Sequence, residues 1–317
     1  MLSEEFFKSL PKVELHAHLN GSLSEKALEK LEKLKIKETN GEYKGFTETE
    51  REIISMEKPK TMTEVFQIFP IVQSLTESKE ALKLATLETL REFETDGVIY
   101  LELRSTPKAI GMSKKDLDRR QTFEEAEETM ILAINDSTGL IVGIDLSGDP
   151  HVDGTKFIPI LRKAQENGIK ATVHLAEMET CLFEVDEFLD FGPDRIGHGS
   201  FLHQRDEWVK KIKRSRIPIE ICLTSNIFTK TTSTIGESHF RDWWKIEHPV
   251  CLGTDDKGIF PNCSMSGELE LAAREFRLSA FDCLEITKTS LKASFLKKTS
   301  KEYEFLFTFL NNFVISE

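Results

Sequence analysis

The sequence predicts an α/β fold built on parallel strands, and three observations point to it. Short apolar, β-branched runs recur after amphipathic stretches along most of the chain. Beyond residue 140, successive runs start roughly 23–32 residues apart, close to the ~30 of a strand-helix-strand step. Runs such as Ile217-Pro218-Ile219-Glu220-Ile221-Cys222-Leu223 suit strands covered on both faces. Strands alternating with helices imply parallel pairing through right-handed crossovers.

The first run, 12–17, is led in by Lys12-Val13-Glu14-Leu15 and led out by the turn Asn20-Gly21-Ser22, which places His16 and His18 at its carboxyl end. From 22 to 97 the chain reads as helical, with helices over 25–35, 47–56, 61–75 and 79–95, the last stopped by Asp96-Gly97. Nothing there looks extended, so these helices form an insertion over the mouth or side of a barrel. A second strand covers 98–104. Residues 106–121 carry no β-like run, and a helix over 122–135 opens on Thr122 with Glu125 completing a capping box. Strands over 140–146, 169–175, 194–198, 217–223 and 249–254 follow, separated by helices such as 155–167, closed by Gly168, and 205–215, basic near its end. Pro218 must sit at its strand's start, since it has no N–H to give a ladder. The tail, 264–317, is helical, with Ser279 capping a helix over 281–295. Neither an internal repeat nor a low-complexity linker interrupts residues 1–317, which favours a single domain.

The composition, 39% hydrophobic and 30% charged over 317 residues, is that of a globular enzyme with a sizeable core. A net charge of −12 argues against a nucleic-acid binder, which needs a basic surface. No apolar run approaches the ~20 residues of a membrane helix, and Met1-Leu2-Ser3-Glu4-Glu5 lacks a secretory signal's basic start, so a cytosolic protein without membrane partners is expected. The five cysteines are scattered without C-x-x-C spacing, so reduced thiols are expected and the cysteine-based zinc signature of cytidine-type deaminases is ruled out.

The chemistry gathers at strand ends. His16 and His18 are two residues apart, so on an extended chain they share a face. Alone, such a pair is a weak sign, because polar residues on an exposed strand produce it too. His174, in His174-Leu175-Ala176-Glu177, ends the fourth run, and Asp255, in Thr254-Asp255-Asp256, follows the last. In a closed parallel barrel the active site lies at the carboxyl ends and the first and last strands are neighbours. His16, His18 and Asp255 then fall together, and His174 reaches across the mouth. Three imidazole nitrogens and a carboxylate oxygen suit one zinc ion with positions left open to water. Glu177, just past His174, can carry the proton a leaving nitrogen needs, unless it is a solvated loop residue. His198, in Arg195-Ile196-Gly197-His198-Gly199, would orient the water and balance its charge. Asp256 would hold the hydroxide or a ring nitrogen, a helix cap being its plainer role. Zinc brings the pKa of bound water toward ~7, so the expected reaction is hydrolytic addition to an electrophilic carbon.

In order and spacing, Lys12-Val13-Glu14-Leu15-His16-Ala17-His18-Leu19-Asn20-Gly21, His174-Leu175-Ala176-Glu177, Arg195-Ile196-Gly197-His198-Gly199, Leu223-Thr224-Ser225-Asn226 and Thr254-Asp255-Asp256 resemble the adenosine/AMP deaminase family. The match covers about 10–310. Asn20, the Leu-Ala before Glu177, Ser147-Gly148-Asp149-Pro150 and Asp256-Lys257-Gly258 are most similar to the family's adenosine deaminase-like branch. The resemblance implies a (β/α)8 TIM-type barrel with one zinc ion per chain that replaces the amine at purine C6 by oxygen, acting on N6-methyl-AMP or another N6-substituted purine nucleotide and yielding IMP. By the same resemblance Glu177 protonates N1, His198 and Asp256 position the hydroxide, and the Gly148 backbone meets the purine. His18 and Asn20 then face the sugar and base. Ser105, Thr106, Pro107 and Lys108 lie near the nucleotide phosphate, with Asp118 among the substrate contacts. A small-molecule nucleotide is the expected partner, and a monomer the expected state.

Two departures from the family pattern stand out. Gln73 stands where a histidine is expected, and the third strand unit is shortened or missing, Asp118-Arg119-Arg120 reading as that strand's exit joined directly to Lys114-Lys115-Asp116-Leu117. Adenosine deaminase proper and an inactive truncated isoform acting as a binding protein are the rival readings. A two-metal amidohydrolase is disfavoured, because no lysine suited to bridging metals ends a middle strand.

Overall fold

The computed structural model describes residues 2–55, 62–105 and 117–315. Seven strands lie among them: β1 (Lys12–His18), β2 (Val98–Arg104), β3 (Gly143–Leu146), β4 (Lys170–Leu175), β5 (Arg195–His198), β6 (Ile219–Ile221) and β7 (Val250–Leu252). Each falls on an expected run, and all pairings between them are parallel. The sixth is shorter than expected. Leu223 opens a helix, Leu223–Phe228, because the buried Glu268 carboxylate accepts the Leu223 and Thr224 N–H groups at 2.7 and 3.1 Å, a charge that suits a helix N-terminus.

The chain forms two compact units. One comprises Met1–Ser105, Cys222–Ile235 and Gly253–Arg277; the other comprises Thr106–Ile221, Gly236–Leu252 and Leu278–Glu317. In the first unit β1 pairs with β2, with His18 opposite Arg104. The segment after β7 adds an isolated parallel bridge from Asp255 to Ala17. β1 is buried on both faces, so its charged residues need internal partners. The Lys12 ammonium donates to the carbonyls of Leu10 at 2.8 Å and Asp96 at 2.6 Å. Glu14 accepts the His16 N–H at 2.7 Å and the Thr254 N–H and hydroxyl at 2.9 and 2.8 Å. The expected helical insertion is present as Glu25–Glu38, Glu48–Ile54, Met62–Leu75 and Lys79–Thr95. Leu23, Leu31, Phe46, Val72 and Phe260 share its core.

In the second unit β3 through β7 form one sheet in sequence order. Its helices match the expected ones, down to the Thr122–Glu125 capping box and the Ser279 cap of Ala280–Ala293. Trp208, Trp243, Phe157 and Phe188 fill its core. Arg195 and Glu220, both fully buried, pair on adjacent strands, and Arg195 also donates to the Ala293 carbonyl at 3.1 Å.

The expected (β/α)8 barrel is not closed by the ladders of the described residues. The ladders of the described residues form a two-stranded and a five-stranded sheet instead. The break falls where the sequence lacks a strand run, and most of the shortened third strand unit, 106–116, lies outside the described residues. Immediately after it Asp118 makes a single bridge to Ser147, with the Arg119 N–H on the Ser147 carbonyl at 3.0 Å and the Ser147 N–H on the Leu117 carbonyl at 3.1 Å. One bridge is what remains there of a strand beside β3. Among the described residues no helix is long and apolar enough to cross a membrane.

Removing one partner of a buried ion pair strands the other charge in the core. Arg195→Met is therefore expected to lower unfolding free energy by about 3–5 kcal/mol, read from the denaturant midpoint. Adding Glu220→Leu should recover most of that loss.

Candidate functional site

In the first unit the end of β1 and the segment after β7 deliver donor groups to one place. The Asp255 N–H donates to the His16 carbonyl at 2.7 Å and the His18 N–H donates to the Asp255 carbonyl at 3.0 Å, so the bridge fixes the three residues in register. Asp255 Oδ1 then lies 3.6 Å from His16 Nε2 and 3.5 Å from His18 Nε2. Ring nitrogens of the two histidines approach within 4.8 Å of each other. The other carboxylate oxygen, Oδ2, accepts the Ser225 hydroxyl at 2.8 Å, which orients Oδ1 toward the imidazoles. Two ligands each about 2.0–2.1 Å from a zinc ion at the tetrahedral angle stand about 3.4 Å apart. The oxygen-to-nitrogen spacings fit that edge, and His16 is fully buried, so these residues fit a metal ion.

Asp256 is buried beside them, its carboxylate against the Gly21 backbone. A Cβ built at Gly21 would stand 1.6 Å from Asp256 Oδ1, so only glycine leaves room for that carboxylate. Asp256 Oδ1 has no hydrogen-bond partner among the described residues. Burial, reinforced by the Asp255 charge, pushes the Asp256 carboxyl well above the ordinary carboxylate range. Asn20 accepts the Thr76 hydroxyl at 3.4 Å, at the edge of hydrogen-bond distance.

In the second unit His174, Glu177 and His198 gather at the ends of β4 and β5. The His174 and His198 rings are 5.0 Å apart between centroids, and Glu177 Oε2 is 3.9 Å from His198 Nε2. His174 Nδ1 is 3.1 Å from Asp145 Oδ1 at the end of β3. A carboxylate on Nδ1 makes that nitrogen the N–H donor and puts the ring's lone pair on Nε2, the atom that could bind a metal. The His174 carbonyl accepts from the buried Arg119 guanidinium at 2.7 Å, and Arg119 in turn pairs with Glu184 at 2.5 Å. Gly148, at φ +101°, lies against the Asp118 carboxylate, which is held by the Arg120 backbone and guanidinium.

Across both units, non-glycine residues in the left-handed region mark the strand ends: Ala176 at φ +51°, His198 at +59° and Asp255 at +57°. Such conformations in residues with a Cβ cluster at functional sites. Of the remaining sequence-predicted positions, Ser105 is exposed at the end of β2, and Thr106, Pro107 and Lys108 lie outside the described residues. Sequence reasoning missed Asp145, the carboxylate of Glu14, the guanidinium of Arg119 and the role of Ser225. For Glu14 a signal was available: a charged residue within a run that must be buried, which needs a partner.

The family model for adenosine deaminase matches residues 11–126 and 115–304. The two segments overlap at the place where the strand run is lacking. The chain is 36% identical over 325 residues to the adenosine deaminase-like protein of Caenorhabditis elegans, covering 92% of this chain and 81% of that protein. It is 39% identical over 312 residues to the N6-methyl-AMP deaminase of Danio rerio, covering 86% and 87%. The crystal structure of arabidopsis ADAL complexed with IMP superposes with a TM-score of 0.85 at 35% identity, covering 96% of this chain and 98% of that one.

The Asp145 contact generates a direct test. Asp145→Ala should weaken zinc binding by about 10- to 100-fold while the fold persists, measured by competition with a chelator of known affinity. Unchanged affinity would mean that Asp145 does not orient His174 for a metal.

Proposed function

This chain belongs to the adenosine deaminase family, and from that premise we propose that it is a zinc-dependent hydrolytic deaminase of N6-methyl-AMP or a related N6-substituted purine nucleotide. Water and the nucleotide become IMP and the free amine. The observation that carries this reading is the convergence of Asp255 Oδ1 on His16 and His18 at a metal-ligand spacing, in a chain whose relatives include a named N6-methyl-AMP deaminase.

In this reading His16, His18, His174 and Asp255 hold one zinc ion per chain, within a single (β/α)8 barrel domain. Zinc bound there supplies hydroxide at neutral pH. Glu177 delivers a proton to purine N1, which draws electron density from C6 and opens that carbon to attack. His198 and Asp256 hold the attacking oxygen in line with C6, and Asp256 Oδ1, without a hydrogen-bond partner among the described residues, suits that task. The proton on the oxygen added at C6 then passes to the departing nitrogen, the C6–N bond breaks as the C6=O bond forms, and N1 keeps the proton that Glu177 gave. The Gly148 backbone contacts the purine, while His18 and Asn20 face the sugar and base. Ser105, Thr106, Pro107 and Lys108 take the phosphate, Thr106 as a hydroxyl donor and Lys108 as a cation. Asp118 belongs to the same substrate surface, its charge offset by Arg120. The protein acts as a cytosolic monomer.

A second reading is favoured by one observation, the split of the family match at 115–126: a folded, zinc-loaded chain without turnover, acting as a binding protein. Circular dichroism and elemental analysis alongside the assay separate the two.

Purified zinc-loaded protein should convert N6-methyl-AMP to IMP and methylamine, followed by chromatography with mass detection, and should turn over adenosine slowly or not at all. Turnover of adenosine alone would replace the nucleotide reading with adenosine deaminase proper. Lys108→Ala should raise KM for the nucleotide by about tenfold, as loss of a charge-assisted phosphate contact would, and leave KM for the matching nucleoside unchanged. An equal effect on both substrates removes Lys108 from the phosphate site.

A further inference from the structure

His239 stands outside every motif used above. It is 1% exposed and precedes the helix Phe240–Lys245. Its Nε2 lies 2.8 Å from the carbonyl oxygen of His198. That carbonyl belongs to an unusual piece of backbone, because His198 and Gly199 are both left-handed, at φ +59° and +63°. The pair reverses the chain at the end of β5. The Gly199 N–H reaches the Leu175 carbonyl at 3.0 Å, and a Cβ at Gly199 would meet Leu202 at 2.9 Å. A residue with a Cβ holds such a conformation only when its surroundings over-determine it.

We propose that His239 is a positioning residue: by donating its Nε2–H to the His198 carbonyl it fixes the left-handed exit of β5 and with it the direction of the His198 imidazole. The carbonyl can only accept, so the proton of the neutral ring resides on Nε2. Burial pushes the pKa of His239 down to about 4, which keeps the ring neutral at physiological pH. The His203 ring stacks on it at 6.3 Å between centroids and 17° between planes. The Nδ1 atom of His239 has no hydrogen-bond partner among the described residues, so Nε2 makes the ring's only described polar contact.

This inference rests on the reading of His198 as the group that orients the attacking oxygen, and the experiment separates the two. His239→Leu removes the donor; His239→Gln returns an N–H to nearly the same place. With N6-methyl-AMP, His239→Leu should lower kcat at least tenfold at unchanged KM, since small misplacements of a catalytic group have effects of about that size or larger. Bound zinc and Tm should stay near wild type, and His239→Gln should recover kcat to within about threefold. Wild-type kcat in His239→Leu overturns the inference. So does activity lost only together with zinc and folding and not recovered by His239→Gln. His198→Ala is the control: if it retains wild-type kcat, the reading of His198 fails, whereas its inactivity beside an active His239→Leu defeats the positioning role alone.

Discussion

The parallel bridge between Ala17 and Asp255 is the constraint on which the first unit's site depends. Its two backbone hydrogen bonds, Asp255 to His16 and His18 to Asp255, lock two segments more than two hundred residues apart in sequence into a single register. A slip by one residue would turn His16 and His18 to the other face, and the Asp255 carboxylate would lose both. The register is itself held by Glu14, whose carboxylate spans the same seam through His16 and Thr254. Burial pushes the Glu14 pKa up to about 7, with its hydrogen bonds opposing the rise. A carboxylate at full burial is unfavourable unless it is hydrogen-bonded, and here it ties the strand of His16 and His18 to the segment of Asp255 beyond β7.

Around each donor the fold places a partner that removes its freedom. Ser225 turns Asp255, Asp145 sets the His174 tautomer, Arg119 holds the His174 carbonyl and Gly21 leaves space for Asp256. Left-handed backbone at Ala176, His198 and Asp255 aims the side chains that follow each strand. Such conformations cost of order 1–3 kcal/mol each, so the surrounding packing and hydrogen bonds must outweigh them. Within each unit these contacts order the side chains in advance, the kind of arrangement that preorganised electrostatic catalysis uses.

Much of this was legible in the sequence, for identifiable reasons. Strand positions followed from apolar runs bounded by turn residues, and helix starts from Thr122 and Ser279, because those signals are local. His16, His18 and Asp255 were legible as a group because metal ligation restricts residue type, and the structure brings them together. Asp145 was not, since an acid in a four-residue strand resembles any surface carboxylate until its neighbour across the ladder is known. The end of β6 was missed for a similar reason: the helix that interrupts it is anchored by Glu268, 45 residues away from Leu223. That the ladders of the described residues stop short of a closed barrel was not legible, although the absence of a β-like run over 106–121 was.

The shortened third strand bears on function through what depends on it. Glu14, Thr254 and Ser225 order the first unit's donors, and Asp145 and His239 order those of the second, all by contacts within one unit. Arg119 belongs with the second group. It follows the shortened segment directly, bridges to β3 through its own backbone and fixes the carbonyl of His174 with its side chain. Its guanidinium also reaches Glu184 and the Val152 carbonyl. A fully buried arginine with these contacts is held from several elements at once, so it stays in place with a single backbone bridge where a full strand would supply a ladder. The ordering of the His174 carbonyl thereby rests on a buried ion pair as well as on the sheet.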